Sequence, residues 1–279
     1  ATTPVDAQTL LKRASQGDIC AWPMAVSVNG LNVFYPEANA TYFVTPYILA
    51  PGQTLVVEGA YPFARFSSLV TYYGTAAGGQ GLEVLGWIPD AGIAPDPGSA
   101  NPAAGTEASD DPAQRRWTIR VTGTAPIDGT PVPLEPNVLP AHPEGVQGVL
   151  GVLIQRVYLP DDPTDPTGGV GVPELSLESA DGVRRSVPAC SDEDADGWYR
   201  FFAGRAQALA EIVPPPPTPA SVDAQPEFTR MIFEGFAPNP DAAYLTAPVA
   251  WEPGRIVVIR GMAPRYGSDE DVDVRYWSF

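Results

Sequence analysis

Apolar and polar residues alternate in short runs along most of the chain, and Pro, Gly and Asn cut the runs at short, regular intervals. Runs of this kind read as strands: Met24 to Phe34, Thr41 to Leu49, Thr54 to Gly59, Phe63 to Tyr73, Leu82 to Trp87, Trp117 to Thr122 and Val149 to Leu159. Two stretches instead carry helical signals. Asp6 can cap a helix over Ala7 to Gln16 that Gly17 ends, with Leu10, Leu11 and Ala14 on its buried face. A second helix is predicted over Tyr199 to Ile212, stopped by the tract Pro214 to Pro217. Residues 89–112 hold few large apolar side chains and read as a long exposed loop. The pattern therefore predicts a mostly β fold, a β-sandwich of jelly-roll-like form with an internal repeated strand unit and two short helices.

The repeated unit emerges when the sequence is slid along itself. Residues 34–62 align without a gap on residues 236–264 at a constant offset of 202. The identical pairs are Phe34/Phe236, Pro36/Pro238, Ala40/Ala242, Tyr42/Tyr244, Pro46/Pro248, Pro51/Pro253, Gly52/Gly254, Val56/Val258, Gly59/Gly261 and Pro62/Pro264. After an insertion in the second copy, Arg65 to Leu69 matches Arg275 to Phe279. Each unit reads as a hairpin: Pro-Gly makes a turn, a short apolar strand follows, and the next glycine suits a bulge or turn. A duplication and two hairpins with convergent turn chemistry both fit this pattern. The first predicts equivalent strand pairs from 34–69 and 236–279. The organisation that results is an N-terminal helix in 1–19 and a sandwich over 20–212 holding the first repeat. A Pro-rich spacer at 213–223 leads to the C-terminal unit, 224–279, packed on the same β core.

Composition narrows the class. With 44% hydrophobic and 10% aromatic residues in 279 the chain can bury a sizeable core. A net charge of −17 repels a phosphate backbone, which argues against nucleic acid as a partner. Lys12 is the only lysine, and with abundant Ala and Pro this suggests a GC-rich bacterial source. No stretch has the roughly 18 apolar residues of a transmembrane segment, and the start at Ala1 reads as a signal peptide already removed. An extracytoplasmic location is expected. There Cys20 and Cys190 can close one disulfide, or they can stand as two unrelated buried thiols.

Several side chains are candidates for chemistry. Asp192, Asp194 and Asp196 precede Gly197 in a D-x-D-x-D-G pattern, which suits a calcium ion in a glycine turn. The twelfth position is Ala203 where an EF-hand has Glu, and a solvated acidic turn is the other reading. Asp161, Asp162 and Asp165 repeat the theme more weakly. His142 is the only histidine, which excludes a multi-histidine metal site. No nucleophile elbow, Walker loop or dinucleotide fingerprint is present. Arg65 and Arg275 hold matching places in the repeats, beside aromatics, as do Tyr42 and Tyr244. With Trp277 these form a candidate ligand site for a carboxylate or sugar, and a buried ion pair accounts equally for the arginines.

Tyr42, the stretch Gly52 to Gly59, Phe66-Ser67, Tyr72, Asn137 to Ala141 and Arg156 to Pro160 together resemble the bacterial domain of unknown function 1214 type. The resemblance covers roughly residues 40–175. It implies a β-sandwich and brings no agreed activity. The function expected from sequence is an exported, noncatalytic module. It binds a carbohydrate-like ligand or packs with itself or another surface protein in an assembly. The alternative is a hydrolase or lyase that cuts an extracellular polysaccharide with paired carboxylates.

Overall fold

The computed structural model describes residues 5–28, 30, 37–74, 81–105, 109–126, 135–212, 227–231, 237–250, 252–254, 256–265 and 274–278. The Pro214–Pro217 tract and the 213–223 spacer lie outside these residues, as do the outer repeat segments 34–36 and 266–273 and the terminal Phe279. In chain order the strands are β1 (Met24–Val26), β2 (Ala40–Tyr47), β3 (Thr54–Ala60), β4 (Ala64–Gly74), β5 (Leu82–Pro89) and β6 (Arg116–Val121). There follow β7 (Thr124–Ala125), β8 (Val138–Leu139), β9 (His142–Pro143), β10 (Gly151–Pro160), β11 (Glu174–Glu178), β12 (Arg184–Ser186), β13 (Thr229–Met231) and β14 (Tyr244–Thr246). The helices are α1 (Ala7–Ser15) and α2 (Asp192–Ile212).

Ten of these strands form two five-stranded sheets, ordered β1-β2-β10-β4-β5 and β12-β11-β3-β6-β8. Within the two sheets every pairing is antiparallel except β6 with β8. The sequence reading of a mostly β sandwich with two helices holds. The reason lies in strand alternation. In the second sheet Leu55 and Val57 stand opposite Val121 and Ile119 on one side and Leu177 and Leu175 on the other, so these six buried side chains share one face. Gly59 stands opposite Trp117 and leaves its indole room: a Cβ there would sit 2.5 Å from Cζ2. The opposite face is polar, with Arg120 paired to Glu178 and Arg184 to Glu58.

In the first sheet β10 is central and buried on both faces, which explains its nearly unbroken apolar run. One face meets the second sheet, where the buried Tyr47 donates its hydroxyl to the carbonyl of Ala141 at 3.0 Å. The other face receives the helices and the C-terminal segment. Asp6 caps α1 by accepting from the Thr9 amide at 3.0 Å, and Leu10 and Ala14 are buried as expected. Trp198 and Phe202 of α2 join the same core. Cys20 and Cys190 form a disulfide, Cα to Cα 4.8 Å, which ties the entry of α2 to the connection between α1 and β1.

Three expectations need correcting. Helix α2 is long, not short, and starts at Asp192, because Ser191 accepts from the amides of Asp194 and Ala195 and draws the acidic run into the first turn. The described part of 89–112 is an anchored connection: Asn101 is buried and donates to the carbonyls of Asp90 and Ile93 at 2.8 and 2.7 Å. Third, the two repeats are equivalent only in part. Met24–Val26 pairs antiparallel with Tyr42 to Val44, and Thr229–Met231 pairs in the same sense with Tyr244–Thr246, which puts Tyr42 and Tyr244 at matching places. Gly52 and Gly254 both take the left-handed conformation that their turn requires, with φ of 78° and 86°. Beyond that turn the copies diverge. Residues 54–60 form a central strand, whereas residues 256–260 pair with no strand among the described residues.

Candidate functional site

The C-terminal segment docks on the outer face of the first sheet, and the buried polar residues Ser68, Asp90 and Arg156 lie at that seam. Register puts Tyr42, Arg156 and Ser68 side by side across three strands, with Tyr158 and Phe66 one pair further along and Tyr72 on the same face. Arg156 is 3% exposed and donates Nη2 to the Tyr72 hydroxyl at 2.5 Å. Its guanidinium lies 5.6 Å from the ring centre of Tyr42 and 5.7 Å from that of Tyr72. Tyr158 packs on Tyr42, Phe66 and Tyr276 at centroid distances of 5.9, 5.6 and 5.6 Å. Among the described residues Arg156 forms no ion pair with a carboxylate, and aromatic faces hold this buried cation. The C-terminal segment completes this cage, since Pro238 accepts from the Tyr72 hydroxyl at 2.7 Å and Asn239 donates to Tyr158 at 2.9 Å. Burial pushes the Asp241 carboxyl up, and the Ser68 hydroxyl and the charge of Arg156 pull it back.

Beside the cage the matched arginines meet. Arg65 Nε donates to the carbonyl of Arg275 at 2.7 Å, and Arg275 Nη2 donates to the carbonyl of Arg65 at 2.9 Å. Arg275 also forms an ion pair with Asp90 and lies 5.5 Å over the Phe66 ring. Asp90, 4% exposed, further accepts from the amides of Ser67 and Ala91, each at 2.7 Å. Burial raises its carboxyl above the ordinary range, and Arg275 with the two amides opposes the rise.

Two open clefts flank Arg275. The larger, about 500 Å³, is lined by Arg65, Arg275, Asp161, Leu159 and Pro160. The smaller, about 270 Å³, brings Asp90, Asp110, Asp161, Arg115 and Arg275 together under Phe63. Leu159, at φ 48°, breaks the strand geometry on the rim. Arg115 is committed to carbonyls of Tyr61, Pro62 and Ser109 at 2.9, 3.1 and 3.2 Å, beneath the ring of Phe63.

Of the residues singled out from sequence, Arg65 and Arg275 line one cleft, Tyr42 belongs to the cage, and Tyr244 lies close enough to interact electrostatically with Tyr42 and Arg156. Trp277 is 37% exposed beside them. Asp192 and Asp194 fall in the first turn of α2 and Asp196 opens the second, where a helical step of about 100° per residue sets Asp194 on the side away from Asp192 and Asp196. Asp194 is held by Arg13 at 2.7 and 3.1 Å, and Asp196 by Arg200 at 3.1 Å. Among the described residues no three His, Cys, Asp or Glu side chains form a group able to hold a metal. His142 lies in the small β7-β9 sheet, and its buried Nδ1 has no hydrogen-bond partner among the described residues. Sequence reasoning gave no role to Asp90, Arg156 or Asp241. The local signal for Arg156 was a polar pair, Gln155-Arg156, inside an apolar strand, and the stretch Arg156 to Pro160 also carries the family resemblance.

No family model matches the chain, and no curated protein matches it. Among solved structures, an uncharacterized protein from Burkholderia cenocepacia aligns over 71% of this chain with 15% identity and a TM-score of 0.36. The chain spans 46% of that protein's length. Among the described residues no helix is long and apolar enough to cross a membrane.

Proposed function

We propose that this protein is a noncatalytic, extracytoplasmic β module that joins an assembly through its C-terminal repeat. One observation carries the reading. Ile256, Val257, Val258 and Ile259 are 86, 53, 62 and 52% exposed and Met262 is 99% exposed, whereas their first-copy counterparts Leu55, Val56 and Val57 are at most 1% exposed. A continuous apolar stretch left exposed is a contact surface awaiting its partner. The disulfide supports an oxidising compartment outside the cytoplasm. A single Val258→Cys substitution tests the role, because both native cysteines are already paired. Maleimide should label position 258 at least about tenfold more slowly in intact source cells or their envelope fraction than in purified protein. Equal rates overturn the proposal.

The larger cleft favours a second role, holding a small acidic or hydroxylated ligand of carbohydrate type between Arg65, Arg275 and Asp161. A carboxylate-dependent hydrolase or lyase has less support. Asp90 is the carboxyl of raised pKa at the clefts, and both of its oxygens already accept amide hydrogen bonds.

A further inference from the structure

Docking of the C-terminal segment brings charge into the seam from both sides. The body of the protein supplies Asp90 and Arg156, and the segment supplies Arg275 and Asp241. Arg275 and Asp90 close one pair of opposite charges. The other pair stays open: Asp241 Oδ2 and Arg156 Nη1 are both sealed from water, and neither has a hydrogen-bond partner among the described residues. A carboxylate taken out of water without a closed partner is unfavourable, and a proton relieves it. Asp241 belongs to the segment itself. Pro238 and Asn239, just before it, bond to the hydroxyls of Tyr72 and Tyr158 on the first sheet, so the carboxyl enters these surroundings as the segment is seated.

We infer that the C-terminal segment is a proton-closed strap: seating Asp241 against Ser68 and Arg156 takes up a proton, and loss of that proton favours release. The strap works within one chain and needs no partner. The groups that face Asp241 set the sign. Arg156 on β10 and the Ser68 hydroxyl on β4 favour the carboxylate, whereas burial and the nearby charge of Asp90 favour the acid, and burial is the largest of these effects. Tyr72, Tyr158 and Tyr244 are pushed above the ordinary tyrosine range by burial and stay neutral. The docked carboxyl therefore lies above the ordinary 3.8, to which it returns once released into water. Asp241 holds the strap most fully below that ordinary value, and the hold is lost as pH rises through the docked one. Asp90 acts in the opposite sense, because its ion pair with Arg275 is strongest when it is ionised. The contribution of Asp241 is therefore read as a difference between two proteins.

In the intact protein the carboxyl carbon NMR signal of Asp241, assigned by its absence in Asp241→Asn, is followed from about pH 3 to about pH 8. Its midpoint lies above the ordinary aspartate range. Hydrogen exchange over residues 237–246, corrected for intrinsic rates, gives the opening constant of the segment in the native protein and in Asp241→Asn. One proton taken up on closure makes the native constant rise relative to the variant by up to about tenfold per pH unit between the ordinary and the docked values. A midpoint within or below the ordinary range means an ionised Asp241 stabilised by Arg156 and overturns the inference. Parallel pH profiles in the two proteins overturn it as well. If Asp241→Asn releases the segment at every pH, the midpoint in the native protein decides alone.

Discussion

Replacing Arg275 with Ala tests the seam most directly. Asp90, whose side chain is 6% exposed in the intact pair, keeps its two amide donors in the variant but loses the ion pair with Arg275. Removing one partner of a fully buried ion pair costs about 3–5 kcal/mol. Arg275 is 34% exposed, so solvent screens part of the interaction, and about 2 kcal/mol is the expected penalty on docking of the C-terminal segment. The penalty should depend on pH in a definite direction. Burial already raises the folded-state pKa of Asp90 above the ordinary 3.8, and loss of the Arg275 charge raises it further. A raised carboxyl means that the folded state holds the proton more tightly. The contribution of Asp90 to stability is then fullest below its unfolded pKa and declines as pH rises through the folded value. The cost of Arg275→Ala is therefore larger at about pH 7.5 than at about pH 5, where more of Asp90 is protonated and needs no counterion. Hydrogen exchange at residues 274–278, corrected for intrinsic rates, gives the opening free energy at each pH. Adding Asp90→Asn to Arg275→Ala should recover part of the loss at the higher pH. The same cost at both pH values, with no recovery in the double variant, would refute an ion pair that holds the seam.

Reduction of Cys20–Cys190 releases a crosslink across 170 residues, which loop-closure entropy values at up to about 5 kcal/mol. The melting temperature under reductant should fall by several degrees, and an unchanged value would show that the bridge restrains little. Gly59→Val drives a side chain into Trp117 and should cost about 1–3 kcal/mol or more in denaturant titration. Gly261→Val, with nothing within 4 Å of its Cβ position among the described residues, should stay within about 0.5 kcal/mol. Similar losses at both glycines would remove the distinction between the two positions.

Much of the sandwich was legible because one-sided strands leave a period-two trace. The run Thr54 to Gly59 and the observed Thr54–Ala60 differ by one residue, and Leu82 to Trp87 is extended only to Pro89. Strands 174–178 and 184–186 escaped notice because each is short and carries charge, and their polar side chains serve pairs such as Arg184 with Glu58. Helix α2 was placed too late since Asp-Glu-Asp-Ala-Asp-Gly reads locally as a turn, and only the Ser191 cap and the Arg13–Asp194 contact fix it as helix. The site was half legible. Duplicated positions pointed to Arg65, Arg275, Tyr42 and Tyr244. Asp90 and Arg156 act through neighbours brought in from distant parts of the chain, 185 residues apart for Asp90 and Arg275, and no local pattern announces such a pair.

The reciprocal bonds between Arg65 and Arg275 have a further consequence, because the two units they join are also joined covalently through residues 213–226. Two halves held by a short tether meet at an effective concentration in roughly the millimolar range. Contacts too weak to hold separate molecules together at micromolar concentration then suffice to keep the seam closed most of the time. Cutting the chain between residues 212 and 227 would leave every contact of the seam in place and still let the C-terminal unit go on dilution. Opening of the seam in the uncut protein would carry the contacts of Pro238 and Asn239 away from the tyrosine cage and bring water to the buried Arg156.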